Sequence, residues 1–168
     1  MASCGAGRGK NLRLAARPRP CDGAAAGKQA KEAAARHGVL ADEAEPGSYG
    51  WADLVRDGGA EWDGVRNPAA RLHLKAMAAG DEAFFYHSGA DKAVVGVMRI
   101  ARAAAPDPKD PAWVSVRVEP LRPLPAPVTL KAIKAEPALA AMELIRQSRL
   151  SVSPVRAEEW AAVLALAR

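Results

Sequence analysis

The stretch that most constrains the fold is Trp62-Asp63-Gly64-Val65-Arg66-Asn67, followed by Pro68. Asn67 is a strong N-cap, because its side-chain oxygen can accept from an orphan backbone N–H. Pro68 suits the first helical position, where its missing N–H costs nothing. Leu72, Ala76 and Ala79 follow at helical spacing, and Gly80 can close the helix in a left-handed conformation. The six residues therefore form a rigid turn at a helix N-terminus, where backbone donors and the positive dipole end face outward. Taken alone, a core tryptophan and a capped helix explain them better than a binding site does.

Charge divides the 168-residue chain. Residues 1–38 carry eight Lys/Arg and two Asp/Glu, whereas residues 39–168 carry 16 Lys/Arg and 17 Asp/Glu. The net charge of +5 thus belongs to the N-terminal segment. That segment is rich in Ala, Gly, Arg and Lys, lacks aromatic residues, and is expected to be disordered, with at most a flickering helix over 24–36. The remainder has no bulk attraction for nucleic acid, so binding there must rest on a local patch or pocket. No apolar run approaches a membrane span. Cys4 and Cys21 form no metal spacing or disulfide framework, and a reducing compartment fits.

From Pro46 onward short strands interleave with short helices. A helix over Trp51 to Arg56 is stopped by Gly58-Gly59. Glu82 to Ser88 reads as a strand, with Ala83, Phe85 and His87 on one face and Phe84, Tyr86 and Ser88 on the other. Ala93 to Arg102 is a second strand, with Gly96 marking a bulge or close approach. Trp113 to Glu119 alternates, with Val114, Val116 and Val118 inward and Ser115, Arg117 and Glu119 outward. Pro120, Pro123, Pro125 and Pro127 keep the next stretch extended and exclude a central strand. Thr129 caps a short helix, Pro137 restarts one with Leu139, Met142 and Ile145 on a stripe, and 150–152 is a further strand. Glu158 and Glu159 open a final helix buried through Trp160, Val163, Leu164 and Ala167. This order is not a regular βαβ alternation, and a small bent sheet or barrel with peripheral helices fits it.

Enzymatic signatures are lacking. His37, His73 and His87 have no metal-pairing partners at useful spacing, and there is neither a Gly-x-Ser-x-Gly elbow nor a phosphate loop. Glu61 and Asp63 are adjacent acids on a turn, usually solvated. No catalytic residue, cofactor or metal is expected. The alternative chemistry is a pocket: Trp62, Trp113, Tyr86 and Trp160 supply π-faces, and Asn67, His87, Ser88, Arg149 and Ser151 supply directional polar groups. A base taken out of its stack is read by that mixture. Trp160 sits on a helical stripe and reads as core.

Four strings, taken together and in order, resemble the EVE domain, a PUA-like family. They are Glu45-Pro46 with the Trp51 helix, Trp62 to Asn67, Phe84-Phe85-Tyr86-His87-Ser88, and Ser148-Arg149-Leu150-Ser151-Val152. The resemblance covers about 44–167. It implies an α+β fold, a PUA-like curved β-barrel with short peripheral helices. It also implies non-catalytic binding of a modified nucleobase, a modified cytosine in DNA or a modified RNA base. On that analogy Trp62 walls the pocket, with Val65, Tyr86, His87 and Ser151 around it. Asn67 and Ser88 meet the base edge, and Arg66 or Arg149 meets phosphate. The partner is nucleic acid carrying a modified base, with no membrane; the location is cytoplasmic in a bacterium and nuclear in a eukaryote. The rival functions are a small nucleotide-processing enzyme and a protein-interaction module using the C-terminal helix.

One departure is sharp. The family opens with a strand of the type Tyr-Trp-Leu-x-Lys-Ser/Ala-Glu-Pro, whereas this chain reads Val39-Leu40-Ala41-Asp42-Glu43-Ala44-Glu45-Pro46. Val39 to Glu43 can be written GTA CTG GCT GAT GAA. One base later the same letters give Tyr-Trp-Leu-Met and the first two bases of a Lys codon. Residues 1–43 are therefore expected to be an out-of-frame reading joined by a one-base deletion to a domain over 44–168. Asp42 and Glu43 would then weaken the first strand, because burying charge is costly.

Overall fold

The structure is a computed structural model that describes residues 37–42, 49–89 and 91–168, with only the backbone of 37 and 39–42. The basic segment, the expected helical tendency over 24–36 and the Glu45-Pro46 string lie outside the described residues. In order come β1 (His37–Asp42), α1 (Trp51–Asp57), β2 (Ala60–Trp62), α2 (Pro68–Ala76), β3 (Glu82–His87), β4 (Ala93–Pro106) and β5 (Val114–Thr129). Then follow α3 (Leu130–Ala135), a 3-10 turn (Pro137–Leu139), α4 (Glu143–Arg146), β6 (Val152–Val155) and α5 (Ala157–Leu166).

The strands form one mixed sheet in the order β2-β5-β4-β3-β1-β6. β1 runs parallel to β3 and antiparallel to β6, and the other neighbours are antiparallel. The α+β class holds, but the expected barrel is an open sheet: β2 and β6 are its two edges. β1 lies inside the segment expected to be out of frame. Its ladder needs only backbone donors and acceptors, so pairing does not depend on which side chains the strand carries.

Strand periodicity places the core on both faces of the sheet. Phe84 and Tyr86 pack with Val94, Val97, Met142, Trp160 and Val163 on one face. Ala83 and Phe85 pack with Leu54, Leu74, Met98, Ile100, Val116 and Val118 on the other. Trp160 stacks on Phe84 with centroids 3.8 Å apart and planes 18° from parallel, a core residue as its stripe implied. Glu159 accepts the Arg156 N–H at 2.9 Å and so caps α5.

Gly96 is both things its position suggested. Pairing jumps from Phe85–Gly96 to Tyr86–Val94, leaving Val95 as the extra residue of a bulge. A Cβ on Gly96 would fall 2.5–2.6 Å from the Trp51 ring, so only glycine lets that indole lie on the sheet.

Five expectations change. The helix after Asn67 ends at Ala76, not at Gly80, because the Asp81 carboxylate takes the Ala78 N–H at 2.8 Å; Gly80 instead makes the turn into β3 at φ +95. β5 continues through all four prolines to Thr129. β2 pairs only with Val116, Arg117 and Val118, so the proline half has β4 as its strand neighbour and is no central strand there; between Pro125 and Pro127 the Ala126 N–H donates to Ala167 O at 3.1 Å. Ser115 is buried rather than outward, its Oγ donating to Glu61 Oε1 at 2.6 Å. The helix expected after Pro137 is split into a 3-10 turn and α4, and the last strand begins at Val152 rather than Leu150.

Candidate nucleic-acid interface

The turn from Trp62 to Asn67 is fixed at both ends. Asn67 Oδ1 accepts from Ala69 N at 2.8 Å and Ala70 N at 3.3 Å, capping α2. Gly64, at φ +76, adopts the left-handed backbone the turn requires. The clamp on the other side is Asp107, a buried carboxylate that sequence reasoning missed. It accepts from Arg66 Nη1 at 2.9 Å, Lys109 N at 2.8 Å and Gly64 N at 3.4 Å. The Arg66 guanidinium first, then the Lys109 N–H, holds its carboxyl down to about 2, against the resistance of burial. The only local signal was an aspartate between Pro106 and Pro108.

Phe85 is the hub of an aromatic group beside this turn. Trp51, Trp62 and His87 meet its ring edge-on at 5.7, 5.6 and 5.4 Å. Such T-shaped contacts place ring edges against a π-face and fix each ring's orientation. His87 Nε2 accepts the Trp51 N–H at 3.2 Å, so its proton sits on Nδ1.

The Trp62 indole is half-buried and borders a recess of about 360 Å³ with Tyr49, Ala60, Glu61, Asp63 and Lys109. The Tyr49 hydroxyl is buried, with the Asp57 carboxylate as its hydrogen-bonding neighbour. Burial first, then the nearby Asp57 carboxylate, pushes this phenol up to about 12, so it remains a neutral donor at ordinary pH. Asp63 pairs with Lys109 at 2.8 Å, and Glu61 is held by Ser115 and Arg102. Both turn acids are thus engaged in fixing structure.

A second recess, of about 340 Å³, lies on the other side of the turn and is lined by Asn67, Arg146, Gln147, Ser148 and Arg149 among others. The structure therefore brings Asn67 to Arg149, and Trp62 to Tyr49 and Lys109, in two recesses rather than one. Ser151 is half-buried at the entrance to β6, and Ser88 is half-buried just past β3. Val65 is buried beneath the turn. Tyr86 stands on the opposite face from Trp62, within the core around Phe84 and Trp160, and burial raises its phenol. Arg66 is drawn to Asp107 and also lies 5.6 Å from the centroid of Trp113. Arg71 covers the same ring at 5.2 Å, which explains the half-buried Trp113.

A family model described as the EVE domain matches residues 43–166. Mouse thymocyte nuclear protein 1 is 37% identical over 130 residues, 62% of this chain and 58% of that protein. The chain thus spans under two thirds of such relatives. An NMR structure of a Rhodopseudomonas palustris protein is 46% identical, with a TM-score of 0.74 over 79% of this chain and 92% of that one. Human THYN1 protein in complex with 5-methylcytosine-containing DNA is 29% identical, with a TM-score of 0.73 over 79% and 98%. The YTH domain of a Zygosaccharomyces rouxii protein, 13% identical with a TM-score of 0.52, shares the fold alone. The clamped Trp62–Asn67 turn and the Phe85 hub thus sit within the residues 43–166 that one family model matches, well over half of the chain, and the chain belongs to the EVE domain family.

Proposed function

We propose that this chain binds, without catalysis, a modified nucleobase presented by nucleic acid, either a modified cytosine in DNA or a modified RNA base. The observation that carries the reading is the half-buried Trp62 indole that walls a recess beside a turn immobilised by Asp107 and the Asn67 cap. A flat heterocycle fits such a wall, its face stacking on the indole. Asn67 Oδ1 is consumed by capping, which leaves its amide N–H donors for the base edge. Ser88, His87 and Ser151 line neither recess and are the more distant polar groups of the reading, and Arg149, exposed beside Asn67 in the second recess, meets phosphate. Arg66 positions the turn through Asp107, and Val65 and Tyr86 act from the core. The human relative solved with 5-methylcytosine-containing DNA supports this ligand class. The engagement of Glu61 and Asp63 disfavours a nucleotide-processing enzyme, which needs a free acid or base. Relatives named as nuclear proteins support a nuclear location if the source is eukaryotic.

The test is titration with oligonucleotides carrying one 5-methylcytosine or one plain cytosine. Trp62→Ala should weaken binding of the modified base about 5- to 150-fold, the loss of one stacking contact. Oligonucleotide recovered intact supports a reader; turnover that disappears with Asp63→Asn would establish the enzyme instead.

A further inference from the structure

We propose that the recess formed by Lys92, Lys131 and Lys134 receives backbone phosphates of the nucleic acid whose base is held beside the Trp62 turn, an inference that rests on the reading above. The recess, of about 400 Å³, is bordered by Asp91, Lys92, Thr129, Leu130, Lys131 and Lys134. Three lysines and one aspartate border it, within residues 39–168, which in all carry 16 Lys/Arg against 17 Asp/Glu. None of the three lysines forms an ion pair among the described residues, whereas Arg56, Arg66, Arg99, Arg102 and Lys109 do. Lys131 and Lys134 are three residues apart on α3, so the like charges share a face and repel. An anion between them removes that repulsion.

The place of the recess in the sheet connects it to the base site. Ala93 pairs with His87 on one side and Thr129 on the other, so the ends of three neighbouring strands stand in one row. At strand spacing, His87 and Thr129 lie about 10 Å apart. Ser88 and Lys92 are joined by four peptide units and are at most about 14 Å apart. At about 3.4 Å of rise per nucleotide on one strand, phosphates within a few steps of the bound base reach the lysines. Lys92 is also held rigidly. It is a non-glycine residue at φ +38, and its carbonyl accepts the Leu130 N–H at 2.7 Å, locking the β3–β4 turn to the start of α3. A strained residue kept by its surroundings is a common mark of a binding surface.

The experiment measures duplex binding by the full chain, using one 5-methylcytosine oligonucleotide and its plain counterpart, between 50 and 200 mM salt. Each phosphate contact contributes about 0.9 to the slope of log affinity against log salt. The Lys131→Ala/Lys134→Ala variant should therefore lose about 1.8 from the slope, so that its deficit against the parent chain shrinks about tenfold over that range. Its preference for the modified base should not change, while Trp62→Ala should lose the preference and keep the slope. An unchanged slope in the double variant overturns the lysine proposal even where the modified base is preferred. A slope that depends on the lysines with no preference for the modified base keeps this proposal and removes the base-reading one. Absence of binding both to this duplex and to a single-stranded RNA carrying one 5-methylcytosine overturns both. Loss of binding only to phosphatidylserine vesicles would assign the surface to a membrane and overturn the proposal.

Discussion

Asn67 serves the fold and the proposed site through different atoms, and two substitutions separate the roles. Its Oδ1 caps α2 with bonds of 2.8 and 3.3 Å. Asn67→Ala removes both bonds, and because one is long the cost should lie near the middle of the capping range, about 1 kcal/mol. In a chain of this size that lowers the melting temperature by about 2–4 °C. Asn67→Ser keeps a cap of similar rank and should leave the melting temperature within about 1 °C, since Ser and Asn cap almost equally. Serine nevertheless has no carboxamide N–H. If that group donates to the base edge, Asn67→Ser should bind a 5-methylcytosine oligonucleotide about 2- to 10-fold more weakly, the worth of one neutral hydrogen bond. Thermal unfolding and fluorescence titration on the same samples read both effects. If Ser destabilises as much as Ala, the capping account fails; if Ser binds like the parent chain, Asn67 does not touch the base.

Further expectations follow from the same geometry. Asp107 has a folded value of about 2, below its unfolded value, so its stabilisation is complete above about pH 4 and is lost as pH falls through the folded value. Urea midpoints measured from pH 5 to pH 2 should fall in the parent chain and fall less in Asp107→Asn. Gly96→Ala drives a methyl into the Trp51 ring and should destabilise by about 1–3 kcal/mol. Trp51→Leu in the same chain should recover part of that loss, and no recovery would refute the contact. Trp160→Ala unstacks Phe84 and should cost about 3–5 kcal/mol in denaturant unfolding. Nucleotide sequencing across codons 37–44 should spell Tyr-Trp-Leu-Met one base over; any other codons remove the out-of-frame account.

Local chemistry was legible where neighbours in the chain decide it. Asn67-Pro68 opens α2, Thr129 opens α3 and Gly58 closes α1 in a left-handed conformation, each through contacts within three residues. Alternation found the faces of β3 for the same reason. The length of β5 was not legible, because proline is forbidden or harmless according to whether a strand lies alongside. The partner β2 is about 55 residues away in sequence and stops at Trp62. An open sheet and a closed barrel differ only in whether β2 meets β6, and no short window carries that information.

The same limit hid Asp107. Its burial comes from docking against Gly64 and Arg66, 43 and 41 residues upstream, and its own neighbourhood reads as a solvated proline loop. The consequence reaches beyond one missed residue. An arginine expected to meet phosphate is largely committed to a buried carboxylate, so the turn that offers Trp62 and Asn67 has little free positive charge. Attraction of a polyanion then falls to groups outside the turn, namely Arg149 in the second recess and the lysines beyond Ser88. On the proposed reading, base discrimination and backbone attraction depend on different side chains, and salt should weaken the second without altering the first. A preference ratio for the modified base that stays constant from 50 to 200 mM salt, while affinity for both oligonucleotides declines, is the outcome this division requires. A ratio that collapses with salt would place the discriminating contact on a charge rather than on the indole.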